Sequence, residues 1–390
     1  MFNKFWFKVH FILGLIFGFI LLIVGVTGGL MSFEKEILKT INPKSYVVAV
    51  PNNVSIAQPH VIIEGFKKHI PDAKINAITL SSDKTSSVMI NIASKDSTQR
   101  KGITYYVNPY TSEILPDLKG QAFFDTVENI HRRLLLGDVG KQIVGLSSVI
   151  LLVLLLSGLY LYFPRLKRTF LASFTFSFKS KGRYLLHSMH SSIGLWVFPF
   201  YILAVLSGLY WSYDWYRQGL HTISGVPMMI KQMPTQTPKN NTNIENQQRT
   251  NQEQKKTNPA NKVSYTDLSK AFTMFEIFLQ KEYSNAMIRI PTSGTIYTIS
   301  YQDTHAAHSR ARNQMQIDIN SWELLKSERY EDKPLNQQLM ASILPLHSGE
   351  YFGRIGQIIM FMTSMLMPLF AITGLMLYLN RTKKKKKAIK

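Results

Sequence analysis

Cysteine is missing from all 390 residues of the sequence. Disulfide bonds, thiolate catalysis and the zinc or iron–sulfur sites that need cysteine ligands are therefore excluded. Any metal that this chain binds must be held by other side chains.

Charged residues are missing from the apolar cores of four long segments. Each segment has roughly 20 residues or more, which is enough to cross a hydrocarbon core of about 30 Å. The segments comprise residues 11–33, 143–163, 193–213 and 355–379. The sequence therefore predicts an integral membrane protein with four transmembrane helices. A cation transporter is disfavoured, since charges inside the membrane usually mark ion paths.

A signal-peptide cleavage site is also missing. The first apolar run ends in VTGGLMSFEKEIL, which has no A-x-A pattern. The apolar region of a signal peptide has only about 7–15 residues, so the longer run predicts an uncleaved anchor.

The net charge of +21 is concentrated in three places. Basic residues precede the first apolar run, fill the loop at 164–189 and form the tail RTKKKKKAIK. In a four-span protein these three segments lie on one side, and the positive-inside rule predicts that this side is cytoplasmic. Both termini are therefore expected in the cytoplasm. The tail is interpreted as a topology anchor that attracts anionic membrane lipid, and no nucleic acid is expected as a partner.

The segments between the spans have the patterns of a mixed α+β fold. SIAQPHVIIEGFKKHI has helical periodicity, and SSVMINIAS and GITYYVNPYTSEIL alternate as strands do. The same order returns in YTDLSKAFTMFEIFLQKEY, GTIYTISYQD and NQMQIDINSWELL. An Asn/Gln-rich stretch at about 234–262 lacks apolar residues and predicts a disordered linker.

The predicted organisation alternates spans with outer and cytoplasmic segments. Its parts are the N-terminus with span one (1–33), an outer α+β domain (34–135), span two (136–163), a cytoplasmic loop (164–189), span three (190–215), a second outer region (216–346), span four (347–380) and the basic tail (381–390).

Histidines and small residues recur at the same spacing in pairs of spans. Spans one and three contain His10, Gly14, Thr27, Gly28 and His190, Gly194, Ser207, Gly208 at equal offsets. Spans two and four, with the residues just before them, contain His131, Gly137, Gly140, Ser157, Gly158 and His347, Gly353, Gly356, Thr373, Gly374 at equal offsets. The sequence therefore predicts two pseudo-symmetric halves that run in the same direction, with an axis along the membrane normal.

Such an axis pairs His10 with His190 near one membrane surface and His131 with His347 near the other. In b-type cytochromes, two histidines that face each other across a helical bundle are the axial ligands of the haem iron. Covalent c-type attachment is excluded because it needs C-x-x-C-H. The pattern predicts two bis-histidine haems b. The alternative is that the histidines are wetted at the headgroups and that the small residues serve only helix packing.

Further side chains near these histidines have open roles. His187 lies three residues before His190 on the same helical face, so it could replace that ligand or donate to a haem propionate. Arg132 and Arg133 follow His131 and could pair with propionates or anchor the span at the headgroups.

The segment THAAHSR contains two more histidines, His305 and His308. Their spacing resembles a small metal pair, but they stand between two predicted strands. We therefore expect a hairpin loop there.

Several motifs resemble those of the PepSY-associated transmembrane family, whose members include inner-membrane ferric-siderophore reductases. They are HFILGLIFGFILLIVGVTGGLMSF, YYVNPYTSEIL, HRRLLLGDVGKQIVG, HSMHSSIGLW and LHSGEYFGRIG. The resemblance implies four spans in the bacterial inner membrane, PepSY-type periplasmic domains and two haems b. It also implies His10, His131, His190 and His347 as ligands, and an oxidoreductase that reduces ferric complexes in the periplasm.

The leading hypothesis is electron transfer through two haems to a ferric siderophore or another ferric chelate. No dinucleotide-type glycine fingerprint follows a strand, and the loop at 164–189 is too short for a flavin domain. Electrons must then come from a separate cytoplasmic reductase or from membrane quinol. The alternative is a non-enzymatic anchor that presents PepSY domains to bind or regulate peptidases.

Overall fold

The computed structural model describes residues 2–94, 102–228, 265–291 and 294–387. The predicted linker at about 234–262 lies outside the described residues. The chain forms a bundle of long apolar helices and a sheet-bearing domain at one end of it. We call that end the sheet side, and the opposite end, which carries the beginning of the first helix and the end of the last, the terminal side.

Four helical segments are long and apolar enough to cross a membrane, which confirms the prediction of a membrane protein with four spans. They are α1 (Phe2–Met31), α6 (Gly137–Arg168), α8 (Gly182–Ser212) and the segment Glu350–Asn380, which contains a 3₁₀ turn (Glu350–Phe352), α13 (Gly353–Met365) and most of α14 (Met367–Lys387). The helices extend beyond the predicted apolar runs because polar residues at both ends continue the helical backbone.

The fourth span is broken between α13 and α14. Pro368 stands at the second position of α14, and a proline there has no amide hydrogen for a bond to the preceding turn. Gly25 of α1 packs at the break, where an added Cβ would lie 2.5 Å from the Cβ of Met367. The break therefore coincides with a close approach of the two helices that only glycine permits.

The remaining elements lie outside the four spans. On the sheet side they are α2 (Glu34–Ile41), α3 (Pro43–Tyr46), α4 (Pro59–His69), β1 (Ile75–Ser81), β2 (Val88–Ile92), β3 (Ile103–Val107), α5 (Gln121–Arg133), α9 (Asp214–Ser224), α10 (Tyr265–Leu279), β4 (Tyr283–Arg289), β5 (Ile296–Asp303), β6 (Asn313–Asp318), β7 (Glu323–Glu328), α11 (Leu335–Ala341) and α12 (Ile343–Ser348). The terminal side adds α7 (Phe170–Ser173).

A single antiparallel sheet combines the two outer segments. Its seven strands have the order β3-β2-β1-β4-β5-β6-β7. The central pair joins β1 to β4, with Ile78 opposite Ile288. We expected two separate outer domains, at 34–135 and 216–346. The structure joins them, because β1 and β4 each have a hydrogen-bonding edge that the other completes.

One hydrophobic core lies under this sheet. Helices α4 and α10 pack against each other, and their side chains Phe66 and Phe275 are fully buried with Ile78, Ile288 and Ile299 of the sheet. Both helix-then-strand patterns of the sequence therefore contribute to the same core.

Candidate functional site

Two histidines from different spans face each other on the terminal side. His10 lies in α1 and His190 in α8, and their half-buried rings have centroids 6.3 Å apart with planes at 77°. The basic segments of the sequence flank this end of the bundle.

A second pair lies on the sheet side. His131 is in the last turn of α5 and His347 is in α12, and their ring centroids are also 6.3 Å apart, with planes at 65°. The structure thus brings together both histidine pairs that the sequence spacing predicts.

Each of the four histidines meets a Ser or Thr hydroxyl from a neighbouring span. The Nδ1-to-hydroxyl distances are 3.0 Å for His10 and Ser157, 3.1 Å for His131 and Thr27, 2.8 Å for His190 and Thr373, and 3.0 Å for His347 and Ser207. Each hydroxyl donates its only hydrogen to a carbonyl oxygen four residues earlier in its own helix, at 2.5–2.7 Å. Its oxygen must therefore accept from the histidine, which places the imidazole proton on Nδ1.

Carbonyl oxygens support the same tautomer on the sheet side. The Nδ1 atom of His131 lies 2.9 Å from the carbonyl oxygen of Val24, and that of His347 lies 3.0 Å from the carbonyl oxygen of Ala204. A carbonyl can only accept, so Nδ1 donates. Nε2 keeps its lone pair, and a hydrogen bond from the other ring nitrogen, which fixes the orientation of the ring, is typical of metal-ligating histidines.

Glycines beside these hydroxyls make room for the rings. A Cβ added at Gly158 would lie 3.1 Å from Cε1 of His10. The same distance would be 3.0 Å from Gly28 to His131 and 3.2 Å from Gly208 to His347. Gly374, the fourth member, has no heavy atom within 4 Å of such a Cβ. From the sequence, helix packing was the alternative role for these Ser/Thr–Gly pairs, whereas the structure places all four hydroxyls and three glycines against the paired histidines.

The spacing of each pair is that of two imidazoles on one metal atom. A metal–nitrogen bond to histidine is about 2.0 Å. A five-membered ring with bonds of about 1.35 Å has its centre about 1.15 Å from each atom. The centroid of each ring lies at the sum of these two lengths from the metal, so two imidazoles on opposite sides of it have centroids about 6.3 Å apart. Both pairs have this separation.

The number of protein ligands favours a haem over a bare ion. A structural metal ion takes about four ligands from the protein, whereas a haem iron takes only two axial ones. Across the described residues, no group of three or more His, Cys, Asp or Glu side chains is placed to hold a metal. Each histidine pair offers two side-chain nitrogens, the number that a haem iron takes from the protein.

The two pairs lie at the two ends of the bundle. Along α1, His10 is separated by 14 to 17 residues from Val24 and Thr27, which bind the ring of His131. At 1.5 Å per residue this separation is about 21–26 Å, most of the thickness of a hydrocarbon core. The same offsets separate His190 from Ala204 and Ser207 on α8.

Burial keeps the sheet-side imidazoles neutral. It lowers the pKa of His131 to about 4, with the nearby His347 as the next cause. Burial likewise lowers the pKa of His347. A neutral imidazole is the form that ligates a metal.

His187 lies one turn before His190 on α8, but its side chain is exposed and interacts electrostatically with Arg165 and Arg183. It is His190 that faces His10. The geometry therefore favours His190 over His187 as the ligand.

The two arginines after His131 have local partners. Arg132 pairs with Glu128 at 2.7 Å, one helical turn earlier, and Arg133 pairs with Asp138 at 3.1 Å. Both arginine side chains are about half exposed. The structure thus gives them salt bridges at the surface.

Two aromatic side chains, the buried Tyr201 and the partly buried Phe370, lie between the two pairs. Phe370 has its ring 5.3 Å from that of His190 and 6.0 Å from that of Tyr201. The hydroxyl of Tyr201 donates to the carbonyl of Thr363 at 2.8 Å, close to the break in the fourth span. Sequence analysis did not single out these residues, because aromatics in an apolar run carry no distinguishing spacing.

A polar crevice of about 370 Å³ opens on the sheet side. Its wall combines the loop between β5 and β6 with the start of the fourth span and the start of α2. The lining residues are Lys35, Glu36, Ser284, Gln302, Asp303, Thr304, Ala306, Ala307, His308, Ser309, Glu350, Gly353, Arg354 and Gln357. Glu350, which lies three residues after His347 in the sequence, is part of this wall.

The prediction of a hairpin loop around His305 and His308 is confirmed, since residues 304–312 connect β5 to β6. His305 is exposed and His308 is buried, so the two do not form a metal pair.

The comparisons with known proteins agree with this architecture. The family described as PepSY-associated TM region matches residues 7–381. No curated protein matches the sequence. Since the family match includes all four spans and both outer segments, this chain belongs to the PepSY-associated transmembrane family.

Proposed function

We propose that this protein carries electrons across a membrane through two haems b, each held by one histidine pair. The observation that carries the proposal is the repeated geometry: two pairs, each with ring centroids 6.3 Å apart and each with its Nδ1 atoms fixed by hydroxyls. A bound haem would supply reversible one-electron chemistry between ferric and ferrous iron.

The protein's own residues would orient and insulate these groups. His10, His190, His131 and His347 would present Nε2 to the iron, and the hydroxyls of the neighbouring spans hold the rings in place. The apolar bundle between the pairs excludes water.

The proposal includes two pseudo-symmetric halves. Six residues after each sheet-side histidine a glycine has positive φ, 58° at Gly137 and 65° at Gly353. Three residues further on, Gly140 and Gly356 each lie against the carbonyl oxygen of the residue two positions after the histidine. An added Cβ would lie 1.6 Å from this oxygen at Gly140 and 2.3 Å from it at Gly356. Positions at equal spacing thus have the same requirement for a glycine, which supports a duplicated unit.

The proposed acceptor is a ferric siderophore or another ferric chelate in the crevice beside His131 and His347. One electron reduces Fe(III) to Fe(II), which such chelators bind far more weakly, so the iron is released. The electron would come from membrane quinol or a separate reductase at the terminal side. Its basic segments favour a cytoplasmic location in the bacterial inner membrane. The sheet domain would then face the periplasm.

Reconstitution into liposomes tests this function. Dithionite is enclosed inside, a ferric hydroxamate is added outside, and the Fe(II) formed is trapped by ferrozine. We expect Fe(II) to form with the protein, and its rate to fall at least tenfold with His131→Ala. The matched control His305→Ala changes an exposed histidine of the same domain and should leave the rate unchanged. A rate no higher than that of protein-free liposomes would overturn the proposal.

A further inference from the structure

The helix that carries His347 is too short to be stable in isolation. α12 has six residues, and isolated helices below about 12–15 residues are marginal in water. Its position must therefore come from contacts with other elements. It packs on α8, where Ser207 and Ala204 bind the ring of His347, and it is also held at its two ends. Both ends meet the loop at residues 304–312, which we call the hairpin loop.

Ser342, directly before α12, is fully buried and is held by His308 of the hairpin loop. The Oγ atom of Ser342 lies 3.0 Å from His308 Nε2 and 2.8 Å from the hydroxyl of Tyr330. The other ring nitrogen of His308 accepts the backbone N–H of Arg310 at 3.2 Å. The proton of the neutral ring therefore resides on Nε2, which donates toward Ser342 and Tyr330.

Tyr330 completes the contact before α12. Its hydroxyl is 3.1 Å from His308 Nε2, and its backbone N–H donates to the side-chain oxygen of Asn313 at 2.8 Å. Tyr330, His308 and Asn313 are all buried. The network thus extends from β6 of the sheet to the residue that precedes α12.

Glu350, just after α12, is held by Ser309 of the same loop. The backbone N–H and the hydroxyl of Ser309 each donate to one carboxylate oxygen of Glu350, both at 2.8 Å. Charge-assisted bonds of this two-point kind are stronger than neutral ones and fix an orientation. His347 therefore lies between two points that the hairpin loop holds.

His131 is supported differently. It lies in the last turn of α5, a helix of 13 residues that packs along α1 and α6. The two histidines of the sheet-side pair thus differ. His131 is in a long helix that packs on two spans, whereas His347 is in a short segment that contacts α8 and is held at both ends by the hairpin loop.

We infer that the hairpin loop positions His347 for axial ligation, with His308 and Ser309 as the positioning residues. That His347 is a ligand rests on the proposed function, whereas its dependence on the loop does not. Since Thr304 and residues 306–309 also line the crevice, the loop connects the crevice wall to the segment that carries His347.

Substitution of His308 in the full-length protein tests this inference. His308→Leu removes the donor to Ser342, His308→Gln keeps an N–H near the Nε2 position, and His305→Leu is the matched control on the exposed side of the loop. Hydrogen exchange of the α12 amides needs no haem. We expect exchange about tenfold faster in His308→Leu, and rates close to wild type in the other two.

The haem spectrum provides the second measurement. His308→Leu should convert part of one haem, and not the other, to a high-spin form, and His308→Gln should restore the low-spin spectrum. If His308→Leu does not fold, Ser309→Ala is measured in its place, because it removes only the hydroxyl bond to Glu350. Wild-type exchange and spectra in the folded variant would overturn the inference. A wild-type protein without haem would instead refute the proposed function, and the exchange rates would still decide the role of the loop.

Discussion

At the residue scale, the most informative feature is the hydroxyl that fixes each histidine. Thr27, Ser157, Ser207 and Thr373 all use their hydrogen within their own helix and offer an oxygen to Nδ1. The arrangement selects one imidazole tautomer and one ring orientation. A side chain that only stabilises helix packing would not need to meet a histidine in all four cases.

Removal of one hydroxyl should weaken haem binding at one site only. In Ser157→Ala the Nδ1–H of His10 loses its hydroxyl acceptor, and loss of a hydrogen bond that orients a metal-ligating histidine typically costs about 10–100-fold in metal affinity. We expect at least tenfold faster haem loss to apomyoglobin from the terminal-side pair. Ser148→Ala is the matched control, because Ser148 makes the same i−4 bond in the same helix, at 3.0 Å to Val144. Equal haem loss from both variants would contradict the assigned role.

The ring planes predict the magnetic signature that a haem iron would have at each pair. They cross at 77° and 65°, nearer to perpendicular than to parallel. Perpendicular imidazoles leave the iron d(π) orbitals that they interact with nearly equal in energy, so low-spin ferric iron acquires a strongly anisotropic g-tensor. Electron paramagnetic resonance should therefore show a large-gmax signal for both haems. Rhombic spectra of the kind given by parallel imidazoles would show that the rings adopt another orientation.

At the element scale, the spans are shaped by small residues at defined contacts. Gly25 permits the approach of α1 to the break between α13 and α14, and Gly208 lets α8 lie close to His347. These contacts fix where each helix can meet its neighbour, and the histidines are placed by that packing.

Alanine at Gly208 should displace His347, whereas alanine at Gly374 should not displace His190. The first Cβ would lie 3.2 Å from Cε1 of His347, and the second meets no heavy atom within 4 Å. We expect Gly208→Ala to give a partly high-spin sheet-side haem in the optical spectrum, and Gly374→Ala to match wild type. Identical spectra for the two variants would show that the rings tolerate a Cβ at both positions.

At the scale of the whole molecule, the sheet ties the two outer segments into one unit. The β1–β4 pairing and the shared core make the stability of one segment depend on the other. The sheet domain is therefore expected to hold a single orientation over the bundle end that carries His131 and His347.

A core substitution in one segment should unfold both. Ile288 of β4 is fully buried, and replacement of a buried isoleucine by alanine usually costs about 2–5 kcal/mol. In Ile288→Ala we expect pulse proteolysis in urea to release fragments from residues 34–135 and 265–346 at the same lowered urea concentration. Cleavage of the second segment alone would indicate two independent domains.

Much of this organisation could be predicted from the sequence. Four apolar runs identify the spans, and equal offsets from His10, His190, His131 and His347 identify which histidines meet. The joining of β1 to β4 could not be predicted, because strand alternation does not specify a partner over about 200 residues. The contacts of His308 with Ser342 were equally hidden, since they depend on how a loop folds back on the bundle. The hydroxyls were visible only as repeated Ser/Thr–Gly pairs without an assigned contact.

The haem content of the purified protein tests the central claim most directly. The chain is expressed with ample haem supply and purified in detergent. Haem is then quantified per chain from oxidised and dithionite-reduced spectra. We expect two haems b per chain in the wild type and in the control His305→Ala, and one in His131→Ala and in His10→Ala. A colourless wild-type protein, or haem that persists undiminished in both ligand variants, would contradict the account.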